Sequence, residues 1–162
     1  MMLIRHYRED DSVAIARITA AAWPEVSIAA MREQRYGVLG NTPWAEQKAH
    51  AILARFRAHP EWTVIAEIDG QVVGYASYTI ALQGDLGVVG DNAVDPEWQG
   101  RGIGAALIRT VIQRLIDAGV RALEVSAFSH NAAARRVYER CGFKEMAVSV
   151  HYTLRPEDCI FS

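Results

Sequence analysis

Gly100, Gly102 and Gly104 stand at alternate positions and open a long amphipathic pattern that runs from Ala105 to Gly119. An apolar run from Val88 ends at Val94 just before them, and Asp95-Pro96 turns the chain. A strand, a glycine loop and a helix start in succession aim several backbone N–H groups at one point, backed by the positive end of a helix dipole. Such a cradle binds anions, phosphate above all. Glycines lose much backbone entropy on folding, so three in alternation imply that something must approach the backbone closely.

The rest of the chain supplies elements to hold that loop. Leu3 to Tyr7 is read as a short strand, and Glu9 to Ser12 as the acidic, capping start of a helix that runs to about Trp23 and stops at Pro24. A weaker helix spans 27–36. Thr42 as N-cap and Pro43 as first helical residue start another, with Ala49, Ile52, Leu53 and Phe56 on one side. Trp62 to Ile68 and Gln71 to Ile80 are strands around an Asp69-Gly70 type I′ hairpin turn. Leu86 to Val94 is a third strand, and a helix follows from about Gly102 to Ala118. Arg121 to Phe128 reads as a strand, Asn131 caps a short helix to about Cys141, and 144–154 alternates like one closing strand or, with a bend near Ala147 to Ser149, two. The expected order is β-αα-βββ-α-β-α-β. It describes an α/β (α+β) fold with a mixed, mostly antiparallel central sheet flanked by helices, containing one parallel pair across the helix crossover.

At 162 residues the chain suits a single domain over 1–162, and 51% apolar residues suffice for a core. Lys and Arg number 17 against 19 Asp and Glu, which gives no electrostatic case for nucleic acid or an anionic membrane. No apolar run reaches the ~20 residues of a membrane helix, and the charged N-terminus lacks a signal-peptide core. A cytoplasmic protein is expected. Cys141 and Cys159 have no metal spacing, and no metal site is expected among the histidines.

Two ligands compete for the cradle, beside a turn that holds none. Gly100-Arg101-Gly102-Ile103-Gly104-Ala105 satisfies the dinucleotide pattern G-x-G-x-x-A, with Glu124 near the position of its ribose-binding acid. Against this, Asp95 to Gln99 separate strand from glycines, antiparallel strands precede, and too little chain follows for a dinucleotide-binding sheet. The second reading rests on Gln99-Gly100-Arg101-Gly102-Ile103-Gly104. It resembles the Q/R-x-x-G-x-G/A pyrophosphate loop of the GNAT superfamily of acetyl-CoA-dependent N-acetyltransferases. Asn92 to Trp98 is similar to that family's strand end and turn. Asn131-x-x-Ala134-x-x-x-Tyr138-Glu139-x-x-Gly142-Phe143 is similar to its second motif, about thirty residues on. The resemblance covers Val64 to Phe143 well and the first sixty residues weakly.

The resemblance implies an enzyme, an N-acetyltransferase that moves the acetyl group of acetyl-CoA to a primary amine by direct attack in a ternary complex. The amides from Gly100 to Ala105 would wrap the pyrophosphate, with Arg101 and Arg109 as possible added charge. Asn92, Ala93 and Val94 would receive the pantetheine arm where strands 86–94 and 121–127 splay apart. Asn131 and Ala134 would line the cofactor, Asn131 also serving as a helix cap. Tyr138 would be the general acid that protonates the leaving thiolate. The base is less marked. Asp91 is the only carboxylate within its strand, and Glu124 and His151 are alternatives. Trp23, Tyr36, Trp44, Tyr75 and Tyr78 are aromatic candidates for the acceptor pocket or for the core. A small-molecule amine or amino acid is the expected acceptor. Acetylation of a protein N-terminus or lysine, and a non-catalytic CoA sensor, are the alternatives, and monomer and homodimer stay open.

Overall fold

The Asp69-Gly70 turn sets the sheet: both residues take positive φ, 49° and 82°, as a type I′ hairpin requires. In the computed structural model, which describes residues 1–160, this turn joins β2 (Thr63–Ile68) to β3 (Gln71–Ala81). β1 (Met2–His6) pairs antiparallel with β2, and β4 (Leu86–Val94) pairs antiparallel with β3. β5 (Ala122–Glu124) lies parallel to β4, so the sheet order is β1-β2-β3-β4-β5. The two antiparallel pairings of the β2-β3-β4 run and the one parallel pairing are those expected of the sequence, and the β1–β2 pairing completes the sheet.

Three helices lie between β1 and β2: α1 (Ser12–Ala22), α2 (Ile28–Tyr36) and α3 (Trp44–Ala58). α4 (Ile103–Asp117) crosses from β4 to β5, and α5 (Ala132–Arg140) follows. α1 and α3 cover one sheet face, where Ile15, Ile18, Ile52 and Phe56 pack on Ile65 and Tyr75. α4 and α5 cover the other, where Leu107, Val111 and Leu115, spaced one turn apart, pack with Tyr138 on Val64, Val73 and Val89. Each face thus has its own core, and strand alternation divides the residues between them.

Three expectations need correction. The helix expected over 27–36 is present as α2, capped by Ser27, whose hydroxyl accepts from the Ala30 N–H at 3.4 Å; the order β-αα leaves it out, and the elements before β2 are β-ααα. α3 begins one residue late, with Pro43 as its N-cap instead of Thr42. The Glu33 carboxylate takes the Trp44 N–H at 2.6 Å, so an acid from α2 caps α3 at the positive end of its dipole. The third correction concerns the end of the chain. β5 stops at Glu124 and does not continue to Phe128, and among the described residues none from 125 to 160 lies in a strand. Alternation confers the ability to pair, but a ladder needs an adjacent edge. Met146, Val148, Val150, Tyr152 and Leu154 remain exposed. Side-chain contacts hold this segment against α2 instead: Thr153 to the Tyr36 hydroxyl at 2.6 Å, and Arg155 to the Arg35 carbonyl at 3.0 Å.

Candidate active site

The site begins with a fault in β4. Tyr78 pairs with Val89 and Ala76 with Asn92, so Ser77 alone faces both Gly90 and Asp91. This is a β-bulge, and the extra residue switches the faces of everything after it. Val89 points toward α4, and so do Asn92 and Val94 beyond the bulge, while Ala93 packs toward α1 and α3. A regular strand would have put Val89, Asp91 and Ala93 on one face. Gly90 makes the fault possible: a Cβ there would stand 2.7 Å from Ser77 Oγ. The Ser77 hydroxyl in turn donates to the Asp91 carbonyl at 3.1 Å, satisfying a group that the broken ladder leaves over.

Because of the bulge, Asn92 meets Tyr138. Asn92 Nδ2 lies 3.1 Å from the Tyr138 hydroxyl and also donates to the Gly90 carbonyl at 3.0 Å, so the amide is fixed from two sides. Tyr138 is 8% exposed and packs edge-on against Phe143. Burial raises the phenol above its ordinary value, and the Asn92 hydrogen bond offsets part of that rise. The phenol therefore keeps its proton at neutral pH. Helix α5 carries Tyr138, and Asn131 fixes its start by accepting the Ala134 N–H at 3.2 Å. The Asn131 side chain is thus a helix cap, and Ala134 is packed against the α4-side core.

After Val94 the chain is tied down before it reaches the glycines. Buried Asp95 pairs with Arg17 and accepts the Glu97 N–H at 3.1 Å. Gln99 Nε2 donates back to the Val94 carbonyl at 3.1 Å. Arg101 lies over the Trp98 ring at 4.6 Å and donates to the Glu97 carbonyl at 3.3 Å. The Gln99 and Arg101 side chains thus brace the loop. Gly100 and Gly102 have φ of 78° and 80°, a region that other residues enter only with strain. Gly102 is the N-cap of α4, and the first N–H to bond back into the helix is that of Ala106, 3.0 Å from the Gly102 carbonyl. The N–H groups of Ile103, Gly104 and Ala105 have no intrahelical acceptor. Buried Ile103 anchors this first turn in the core. The residues present therefore fit an anion at the head of α4. Arg109 is exposed on the helix surface.

β4 and β5 pair only over Leu86–Ala122, Gly87–Leu123 and Val88–Glu124. Past Val88 the two chains part, and the edge of β4 from the bulge to Val94 faces that gap without a strand partner among the described residues. The gap, the Asn92–Tyr138 pair and the head of α4 adjoin one another. Asp91 points to the opposite sheet face, where Lys48 Nζ approaches it at 3.2 Å and Arg55 also bonds it. Glu124 and His151 are exposed, and His151 lies against Phe128. Tyr75 and Tyr78 are buried core residues, whereas Trp23 carries the Lys48 ammonium 3.9 Å above its ring. Sequence reasoning missed Lys48 and Arg55. Their seven-residue spacing, two turns on one helix face, was the signal available.

The acetyltransferase (GNAT) family model matches residues 15–143. The chain belongs to this family. A mycothiol acetyltransferase of Propionibacterium freudenreichii subsp. shermanii is 27% identical over 154 residues, 91% of this chain and 44% of that protein. An L-2,4-diaminobutyric acid acetyltransferase of Nocardia farcinica is 38% identical over 87 residues, 53% of this chain and 45% of that protein. The chain thus spans less than half the length of these curated relatives. Among solved structures, a GNAT family acetyltransferase of Brucella melitensis in complex with acetyl-CoA is 29% identical, with a TM-score of 0.62 over 90% of this chain and 84% of that one. GNAT membership thus agrees with the sheet order, the loop at the head of α4 and the parting of β4 from β5.

Proposed function

We propose that this GNAT chain transfers the acetyl group of acetyl-CoA to a primary amine by direct attack in a ternary complex, the acceptor being a small-molecule amine or amino acid. The observation that carries the reading is the Asn92–Tyr138 hydrogen bond, set between the free amides of α4 and the gap beside β4. Anion binding alone needs the amides and does not need a buried phenol at the gap. The relative that acts on L-2,4-diaminobutyric acid, and an L-amino acid N-acetyltransferase of Escherichia coli 33% identical over 96 residues, support a small acceptor.

Acetyl-CoA, when bound, supplies an activated thioester and a thiolate leaving group. The residues of the chain do the remainder. N–H groups of Ile103, Gly104 and Ala105 hold the pyrophosphate at the helix dipole's positive end. The β4 backbone at Asn92 to Val94 offers its unpaired edge to the extended pantetheine arm. As the amine nitrogen bonds to the carbonyl carbon and the carbon–sulfur bond breaks, Tyr138 gives its proton to the sulfur. Asn92 holds the phenol in place for that transfer. Asp91, with both carboxylate oxygens engaged by Lys48 and Arg55, positions those cations, and the attacking amine gives up its proton to solvent at the open face.

Thermal shift and thiol release test the reading together. CoA at a hundred times its Kd is expected to add about 2.7 kcal/mol of stability, or a rise of roughly 5–10 °C in melting temperature for a chain of this size, while NAD leaves it unchanged. An amine panel with acetyl-CoA should then release thiol. Absence of any CoA shift would end the proposal. A full shift with no amine, peptide N-terminus or lysine acetylated would favour a CoA sensor.

A further inference from the structure

The proposed reaction brings its two substrates from opposite faces. The head of α4 and the Asn92–Tyr138 pair lie on the α4/α5 face, and the proposed transfer leaves the α1/α3 face to the amine. There it meets a cluster of charged groups whose part in the reaction goes beyond pairing. Lys48 is 20% exposed and held by Asp91 and by the Trp23 ring. Trp23 is itself fixed by a 3.1 Å hydrogen bond from Nε1 to the hydroxyl of buried Tyr75. Arg55 is 53% exposed, and among the described residues its one side-chain bond runs from Nη2 to Asp91. Its Nε and Nη1 donors are left over. Two cations against one carboxylate leave an excess positive charge here, in a chain whose net charge is −2.

We infer that this cluster recognises a carboxylate on the acceptor, and that the acceptor is an amino acid whose carboxylate is taken by Arg55 and Lys48. The inference rests on the proposed transfer and names its substrate class. A guanidinium presents paired donors that match a carboxylate, and its partial exposure leaves them reachable. Asp91 bridges the two cations, offsets their mutual repulsion and keeps them oriented before the ligand arrives. Asp91 lies in the β4 bulge, so the cation cluster stands beside the stretch of β4 that has parted from β5, on the α1/α3 face.

Matched pairs test this: amino acids and the corresponding carboxamides, which keep the amine and lose the charge. The wild type is expected to prefer the acids by about tenfold or more in kcat/KM, the worth of one charge-assisted hydrogen bond. Arg55→Gln should collapse that preference mainly through KM, and Arg55→Lys should restore part of it. Equal use of acids and amides by the wild type would overturn the inference, as would an Arg55→Gln variant with the preference intact. If CoA binds and no amine is acetylated, the transfer reading fails separately. Calorimetry on the CoA-loaded protein then decides: amino acids binding where their amides do not supports the carboxylate site, and equal or absent binding overturns it.

Discussion

Tyr138 illustrates how one residue's role depends on its two neighbours in space. Its burial raises the phenol above its usual value of 10, and Asn92 restrains the rise. An acid that must protonate a thiolate needs its proton in place across the working range, and burial secures that. Tyr138→Phe is therefore expected to lower kcat by about a hundredfold, within the range for a lost general acid, and to leave CoA affinity within about twofold. Asn92→Ala removes the interaction that lowers the phenol, so tyrosinate formation at Tyr138 should move to higher pH. The absorbance difference between each protein with and without the Tyr138→Phe change, titrated through alkaline pH, reads that shift. A titration that moved down would show that Asn92 acts on the phenol in some other way. Tyr138 was legible from its place in a sequence motif. Its partner's orientation was not, because a strand read with a strict period of two puts Asn92 on the wrong face for anyone who counts from Val89.

At the scale of elements, the β4 bulge and the α4 head decide the site, and both turn on glycine for different reasons. Gly90 avoids a contact with Ser77, whereas Gly100 and Gly102 satisfy positive φ with nothing within 4 Å of a built Cβ. Gly104 differs again: a Cβ would meet Val94 and Val137 at 3.6 and 3.9 Å, ordinary contact distances. The fold has room for a side chain at Gly104, so any requirement for glycine there comes from the ligand. Gly104→Ala is expected to keep or raise the melting temperature, since alanine favours a helix by about 1 kcal/mol over glycine, while CoA binding weakens severalfold. Gly102→Ala should instead lose about 1–2 kcal/mol of stability from left-handed strain, with or without ligand. If Gly104→Ala binds CoA as well as wild type, the phosphate does not approach that backbone closely. The three glycines look alike in sequence because spacing does not reveal φ. Gly90, one of two glycines inside β4, was the available sign of the bulge, and it reads equally as a weak point in an ordinary strand.

Across the whole molecule, the pattern of antiparallel strands followed by a helix crossover was legible because hairpin turns and helix caps are local. The C-terminal run was not, since its alternation from Met146 to Leu154 says nothing about whether an edge is available to pair with. A phenol is also buried on each side of the sheet, Tyr75 of β3 beneath α1 and Tyr138 on the inner face of α5, and burial raises both above the ordinary value of 10. A folded-state value above the unfolded one gives stability that is complete below pH 10 and is lost as pH climbs through 10 toward the folded values. There the unfolded chain releases protons that the native chain still holds. Each phenol contributes at most about 1.4 kcal/mol per pH unit to that decline, or a few degrees of melting temperature. Melting curves from pH 8 to 11.5 should therefore be level at first and then fall above pH 10. Tyr138→Phe and Tyr75→Phe should each make the fall shallower by one proton's worth, whatever they do to stability at pH 8, because the slope counts protons and not contacts. The two sites sit on opposite faces with separate cores, so the double variant should lose the sum of the two slopes. A slope unchanged by either substitution would mean that these phenols ionise in the folded protein as readily as in the unfolded chain.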